Sequence, residues 1–174
     1  MIVFGKPMTT LFESATGVVT IIDQTALPDR LALVEITSSA EMVKAIATMQ
    51  VRGAPLIGVA AAYGMALAMR SDPASVASSA EALRGARPTA VNLAWAVAQA
   101  EAALTPLSPE RRYEAALTLA RALREDDVRV CRALGEVGAT WLRERLGALS
   151  RPLQIMTHCN AGWLATIDHG TALA

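Results

Sequence analysis

Thr157-His158-Cys159-Asn160-Ala161-Gly162 places a thiol beside an imidazole in a short polar stretch, and chemistry is first expected there. The apolar run Leu153 to Met156 before it reads as a buried strand. Trp163-Leu164-Ala165-Thr166-Ile167 after it can begin a helix. A strand, a tight turn and a helix set that turn at the carboxyl end of a sheet, where open α/β sheets bind ligands. Amides and a helix dipole there would stabilise a Cys159 thiolate. Such a thiol suits a nucleophile or an acid/base in proton transfer. The competing reading is a small buried residue closing a tight turn. His158 can tune the thiol, although neighbours on a strand point to opposite faces. Asn160 is read as the cap of the following helix, with polarisation of a carbonyl as the alternative.

Arg52-Gly53-Ala54-Pro55 forms a second chemical candidate, an anion site. The first amides of a helix lack intrahelical partners and its macrodipole favours negative charge. A neighbouring arginine adds a bidentate contact to phosphate, and glycine lets the ligand approach the backbone. Arg87-Pro88-Thr89 repeats the arrangement before an alanine-rich stretch, with Thr89 as the expected cap. A solvated or paired arginine is the competing reading at both places. Cys131 lies on the apolar side of a helix and reads as core. His169, between Asp168 and Gly170, reads as a helix-end or turn histidine rather than half of a dyad. The two histidines and two cysteines show no paired ligand spacing for a metal. Neither GxGxxG nor GxxxxGK[ST] occurs, so no nucleotide loop is indicated.

Positioning these residues requires a packed scaffold, and the composition allows one. Of the 174 residues, 53% are hydrophobic and 18% charged, which excludes a disordered chain. Sixteen basic residues balance sixteen acidic ones, so no overall field attracts nucleic acid or an anionic membrane. The apolar stretch Ala54 to Met69 is shorter than the roughly 20 residues of a membrane span. Unpaired cysteine spacing with no signal peptide reads as reduced thiols in a cytoplasmic protein.

The first 36 residues carry β signals: an edge strand over Met8 to Phe12, a turn over Glu13 to Gly17, and strands over Val18 to Ile22 and Leu31 to Ile36. Ser38 and Glu41 have capping-box spacing, so a helix is expected from Ser39 to about Gln50, burying Val43, Ile46, Ala47 and Met49. Pro55 suits the first turn of the next helix, with Gly53 or Ala54 as its cap. Ser71 to Ser79 reads as a loop or short helix. Further helices are expected from about Ala90 to Leu104, from Glu110 to about Leu134, and around Glu136 to Leu146. The fold class is α/β. A small antiparallel sheet plus helical bundle fills 1–150, and 151–174 starts a Rossmann-like domain, with the boundary near Gly147 to Pro152.

Val51-Arg52-Gly53-Ala54-Pro55-Leu56-Ile57-Gly58-Val59-Ala60-Ala61-Ala62-Tyr63-Gly64 closely resembles the (I/V)RGAPAIGxAAAYG signature of methylthioribose-1-phosphate isomerases, in the initiation factor 2B superfamily. Asp23 to Pro28 resembles their DQTxLP turn, and Arg87 to Leu93 their RPTAVNL. Thr157 to Gly162 is similar to their THCNAG, and Asp168 to Leu173 to their D(Y/H)GTALG. The resemblance runs from about Gly5 to Ala174, roughly the first half of such a protein. It implies conversion of 5-methylthioribose 1-phosphate to 5-methylthioribulose 1-phosphate, in methionine salvage, by a homodimer without metal or organic cofactor. Phosphate on the anomeric oxygen prevents simple opening to an aldehyde, so the enzyme must help open the ring and move hydrogen from carbon 2 to carbon 1. The resemblance implies that Arg52, Gly53, Ala54 and Arg87 bind substrate and that Cys159 assists the transition state. The family's catalytic aspartate lies in its second half, so the chain is expected to be a fragment without independent turnover. Ribose-1,5-bisphosphate isomerase, a non-catalytic assembly subunit, and a half-protein that pairs with a separate C-terminal half remain as alternatives.

Overall fold

Val19-Thr20-Ile21-Ile22 is β-branched at each position, and it forms the centre of the main sheet. A computed structural model describes residues 1–14, 16–146 and 152–174. In it β4 (Val19–Ile22) lies between β3 (Leu11–Glu13) and β5 (Leu33–Ile36), all antiparallel, with Leu11 opposite Ile21 and Thr20 opposite Glu35. Leu11, Ile21 and Ile36 turn into the core. A separate hairpin of β1 (Ile2–Val3) and β2 (Lys6–Pro7) precedes this sheet. The expected edge strand is thus shifted, from Met8–Phe12 to Leu11–Glu13.

The capping box forms as its spacing requires. Glu41 N donates to Ser38 Oγ at 3.2 Å and Ser38 N to Glu41 Oε2 at 3.1 Å, opening α1 (Ser39–Ala47). Its buried face is Met42, Ala45 and Ile46, with Val43 partly covered. Ala47 and Met49, expected inside, are exposed. The helix ends at Ala47 and Met49 takes φ 64°, so the 3.6-residue period does not carry that far.

Helix α2 (Ala54–Ser71) is the pillar of the molecule, with residues 56 to 69 all buried. It packs on α1, α3 (Val76–Ala86), α4 (Val91–Leu104) and α5 (Pro109–Leu146). Glycine admits these close approaches. A Cβ at Gly58 would stand 3.0 Å from the Asn92 carbonyl oxygen, and one at Gly64 would stand 2.8 Å from Leu83. By length and composition α2 alone among the described helices could cross a membrane, yet protein surrounds it. Helix α3 covers part of the stretch expected as a loop or short helix and runs beyond it to Ala86. Its buried Val76, Ala80 and Leu83 recur at helical spacing.

Two helices were expected between Glu110 and Leu146, and α5 is a single helix of 38 residues. Glycine weakens a helix by only about 1 kcal/mol, so Gly135 and Gly138 do not end it. A Cβ at Gly135 would approach the Ala174 carbonyl carbon to 2.8 Å, which accounts for glycine there.

The α/β class holds, but the last segment differs from the expected strand and helix. Residues 153–156 form no regular element and are exposed, and no described strand pairs with them. A strand needs a neighbour to satisfy its N–H and C=O groups. Trp163–Ala165 makes one 3-10 turn. The helix stops because tertiary partners take the next backbone groups. Thr10 N donates to the Ile167 carbonyl at 3.1 Å, and Ile167 N donates to Asp127 Oδ2 at 2.6 Å. Of the boundary placed near Gly147 to Pro152, residues 147–151 lie outside the described residues.

Candidate functional site

The turn before α2 is built by glycine. Gly53 has φ 112° and ψ 132°, a backbone region that side chains disfavour. A Cβ there would lie 2.4 Å from Ala165 Cα and 2.7 Å from the Ala165 carbonyl oxygen. Two backbones are therefore in contact, that of the Arg52 turn and that of the turn following Cys159. The first helical bond of α2 runs from Ile57 N to the Gly53 carbonyl at 3.0 Å, so Ala54 and Leu56 present amides without an intrahelical acceptor. The Arg52 side chain and Ala54 are exposed beside them.

Gln24 lies behind this turn, and sequence reasoning saw it only as part of a loop motif. It is 4% exposed, and its Nε2 donates to the Arg52 carbonyl at 3.2 Å and to the Leu164 carbonyl at 2.8 Å. Its polarity between two β-branched runs was the available signal.

Arg87 ends α3, half-buried, and its carbonyl accepts from Ala90 N at 3.0 Å. It lines a groove of about 570 Å³ with Glu81, Arg84, Pro88 and Leu93; neither Arg52 nor Cys159 lines that groove. The expected Thr89 cap does not form. Ala90 takes the extended cap conformation and has no side chain able to accept.

Cys159 is exposed, at φ 64°, and His158 beside it is exposed as well. Among the described residues no hydrogen bond joins them. The helix dipole expected to stabilise the thiolate is not assembled, because only one 3-10 turn follows. Asn160 does not cap that turn; Gly162 occupies the cap. Among the described residues, Asn160 Nδ2 and Trp163 Nε1 are buried donors without a protein acceptor. His169 sits at φ 68°, and the Asp168 carboxylate beside it accepts the Met1 ammonium at 2.7 Å and His169 N at 2.8 Å. That engagement matches the turn reading.

Three of the sequence motifs meet on one cavity of about 240 Å³ beside the start of α2. Pro55 and Val59, Asn92 and Trp95, and Thr171 line it together with Asp127. Burial pushes the Asp127 carboxyl above its usual range. Cys131 reaches the same wall, and burial raises its thiol to about 11, so it remains a protonated core residue. Asn92 and Thr171 were visible only as motif letters. Nothing in the sequence marks Asp127, one of two adjacent aspartates on an amphipathic helix.

The sequence profile described as the initiation factor 2 subunit family matches residues 50–171. The methylthioribose-1-phosphate isomerase of Methylorubrum populi is 49% identical over 173 residues, covering 98% of this chain and 47% of the relative. That of Rhodospirillum centenum is 48% identical and covers all of this chain and 48% of its own length. The chain thus spans about half the length of the curated relatives it matches. The crystal structure of translation initiation factor eIF-2B subunit delta from A. fulgidus aligns with TM-score 0.80 and 38% identity, over 96% of this chain and 49% of that one. The 5-methylthioribose 1-phosphate isomerase structure from Pyrococcus horikoshii aligns with TM-score 0.80 and 29% identity, over 95% of this chain and 47% of that one.

Proposed function

The chain belongs to the initiation factor 2 subunit family, and on that footing we propose that it carries part of the site of an aldose–ketose isomerase acting on 5-methylthioribose 1-phosphate. The convergence of Pro55, Asn92 and Thr171 on one cavity is the observation that supports this reading, because it gathers three separate motifs beside the start of α2, with Arg52, Arg87 and Cys159 outside its lining. Relatives named for this activity, at 49% and 48% identity, support the substrate.

In this reading Arg52 and the amides beginning at Ala54 hold the phosphate, and Gly53 keeps the approach open. Arg87 adds a second cation from the end of α3. Holding the phosphate orients the sugar while its ring opens. Cys159 then assists as hydrogen moves from carbon 2 to carbon 1, an internal redox exchange that leaves the atom count unchanged. The domain division at about residue 150 belongs to the same proposal, with 151–174 contributing to a second, Rossmann-like unit.

Turnover in this proposal needs the remaining half of the relatives' length. Exposed apolar side chains of α5 at Val130, Leu134, Val137 and Trp141 support an assembled working form, either a homodimer or a pair with a separate polypeptide. A second reading, a non-catalytic assembly subunit, is favoured by the 38% identity to the eIF-2B delta structure.

An isomerase assay with 5-methylthioribose 1-phosphate separates the two. The chain is measured alone and with a separately expressed polypeptide covering the rest of a relative, and Cys159→Ser is measured in parallel. Turnover only in the mixture, lowered about 100-fold or more by Cys159→Ser, is the expected result. Turnover that ignores the substitution would remove Cys159 from the chemistry. A mixture that assembles and does not turn over would favour the assembly subunit.

A further inference from the structure

We propose that Gln24 is a positioning residue that locks the Arg52 turn to the Leu164 turn, so that the anion-binding arginine and the segment carrying Cys159 are held as one unit. Its value for catalysis rests on the isomerase reading above; the mechanical coupling stands on geometry alone.

The base of the side chain is held firmly. Gln24 lies two residues past the end of β4 and opens a 3-10 turn capped by Asp23, and its own N–H donates to the Gln50 carbonyl at 3.0 Å. Asp23 beside it accepts from Thr25 N at 2.9 Å and from Gln50 Nε2 at 2.9 Å. From this fixed base one nitrogen reaches two carbonyls that belong to segments far apart in sequence, those of Arg52 and Leu164. The adjoining contact of Gly53 with Ala165 brings the same two segments together, but it only limits how closely they approach. Gln24 supplies the attraction.

The residue type follows from the task. Two carbonyl acceptors require two N–H donors on one atom, which a primary amide has. Asparagine is one methylene shorter, ionised glutamate only accepts, and methionine matches the length without donating. A buried carbonyl deprived of its donor incurs a desolvation penalty, so loss of the amide loosens both turns together.

Hydrogen exchange read by mass spectrometry tests this on the full chain. Peptides covering 50–57 and 162–170 are compared in wild type, Gln24→Met and Gln24→Glu from about pH 4 to about pH 8, each against wild type at the same pH. Gln24→Met is expected to speed exchange in both peptides by about tenfold, leaving 91–104 unchanged. Gln24→Glu should behave like Gln24→Met at neutral pH. A carboxyl buried between two carbonyls has a raised pKa, so its protonated form persists at low pH and donates one hydrogen bond. One hydrogen serves only one of the two carbonyls, so protection should return in part, in one of the two peptides, as pH falls toward the ordinary glutamate range.

In Gln24→Met, loosening of one peptide alone, of neither, or of every peptide equally would overturn the coupling. So would a Gln24→Glu chain that stays loose in both peptides at low pH. Inorganic phosphate, added to wild type, examines the anion reading separately. Failure of phosphate to protect 50–57 would remove that reading and leave the two-peptide result to decide the lock.

Discussion

Asp127 projects from α5 to the junction beneath the final turn, where its Oδ2 accepts the Ile167 N–H at 2.6 Å and Cys131 Sγ lies 3.9 Å from Oδ1. The hydrogen bond favours its charged form, but desolvation is the larger effect and raises its carboxyl. For a raised folded-state value, the associated stability is present at low pH and is lost as pH rises through the titration. Asn at this position keeps an acceptor for Ile167 and carries no charge. Asp127→Asn should therefore gain stability relative to wild type as pH rises from the acid range to neutrality, read by urea denaturation at several pH values. Asp127→Ala leaves the Ile167 N–H unpaired and should lose about 1–3 kcal/mol. Equal behaviour of the two variants would show that the hydrogen bond contributes nothing. Among these residues, Arg52 and Cys159 stood out by chemical type, whereas Asp127 and Gln24 acquire meaning only from the carbonyls and amides folded against them.

Elements with local signals were legible to within a few residues. Ser38 and Glu41 sit at the reciprocal spacing of a capping box, and both bonds form. Ser38→Ala removes the acceptor for Glu41 N and should cost about 1 kcal/mol, measured as a lower urea midpoint with an unchanged slope. An unchanged midpoint would mean that α1 is held by Met42 and Ile46 in the core alone. Pro55 and Gly53 likewise mark the start of α2 through backbone geometry that few other residues share. Elements whose ends depend on distant neighbours were misjudged. The two helices expected between Glu110 and Leu146 are one, and glycine at 135 admits the Ala174 backbone at close range. The 163–167 stretch looked helical until Thr10 and Asp127 claimed the backbone of Ile167.

The sheet and the helical layer are tied together at Glu13, whose carboxylate on β3 accepts from Arg121 of α5 at 2.6 and 3.0 Å. Tyr63 of α2 donates to the same carboxylate at 3.4 Å, and burial pushes the Tyr63 hydroxyl up to about 12. The Arg121 guanidinium holds Glu13 below the usual glutamate range. The sign is opposite to that at Asp127: this stability is present above the ordinary glutamate range and is lost as pH falls through the lowered value. Arg121 is solvent-exposed, so screening keeps the contribution small. Glu13→Gln should lower the melting temperature by a few degrees at neutral pH and have no effect in strong acid. A deficit that persists in acid would place the role of Glu13 in packing rather than charge. By itself the sequence determined the class of fold, the three strands of the main sheet and the starts of α1, α2 and α4, and it singled out the residue types around Arg52 and Cys159, because apolar period, capping and glycine geometry act over a few neighbouring residues. Tertiary structure alone decided that Gln24 joins two distant turns, that Pro55, Asn92 and Thr171 share one cavity, and that the segment around Cys159 is neither strand nor helix. Those outcomes depend on which backbone groups meet across the fold, and competition for hydrogen bonds between distant segments leaves no local periodicity to read.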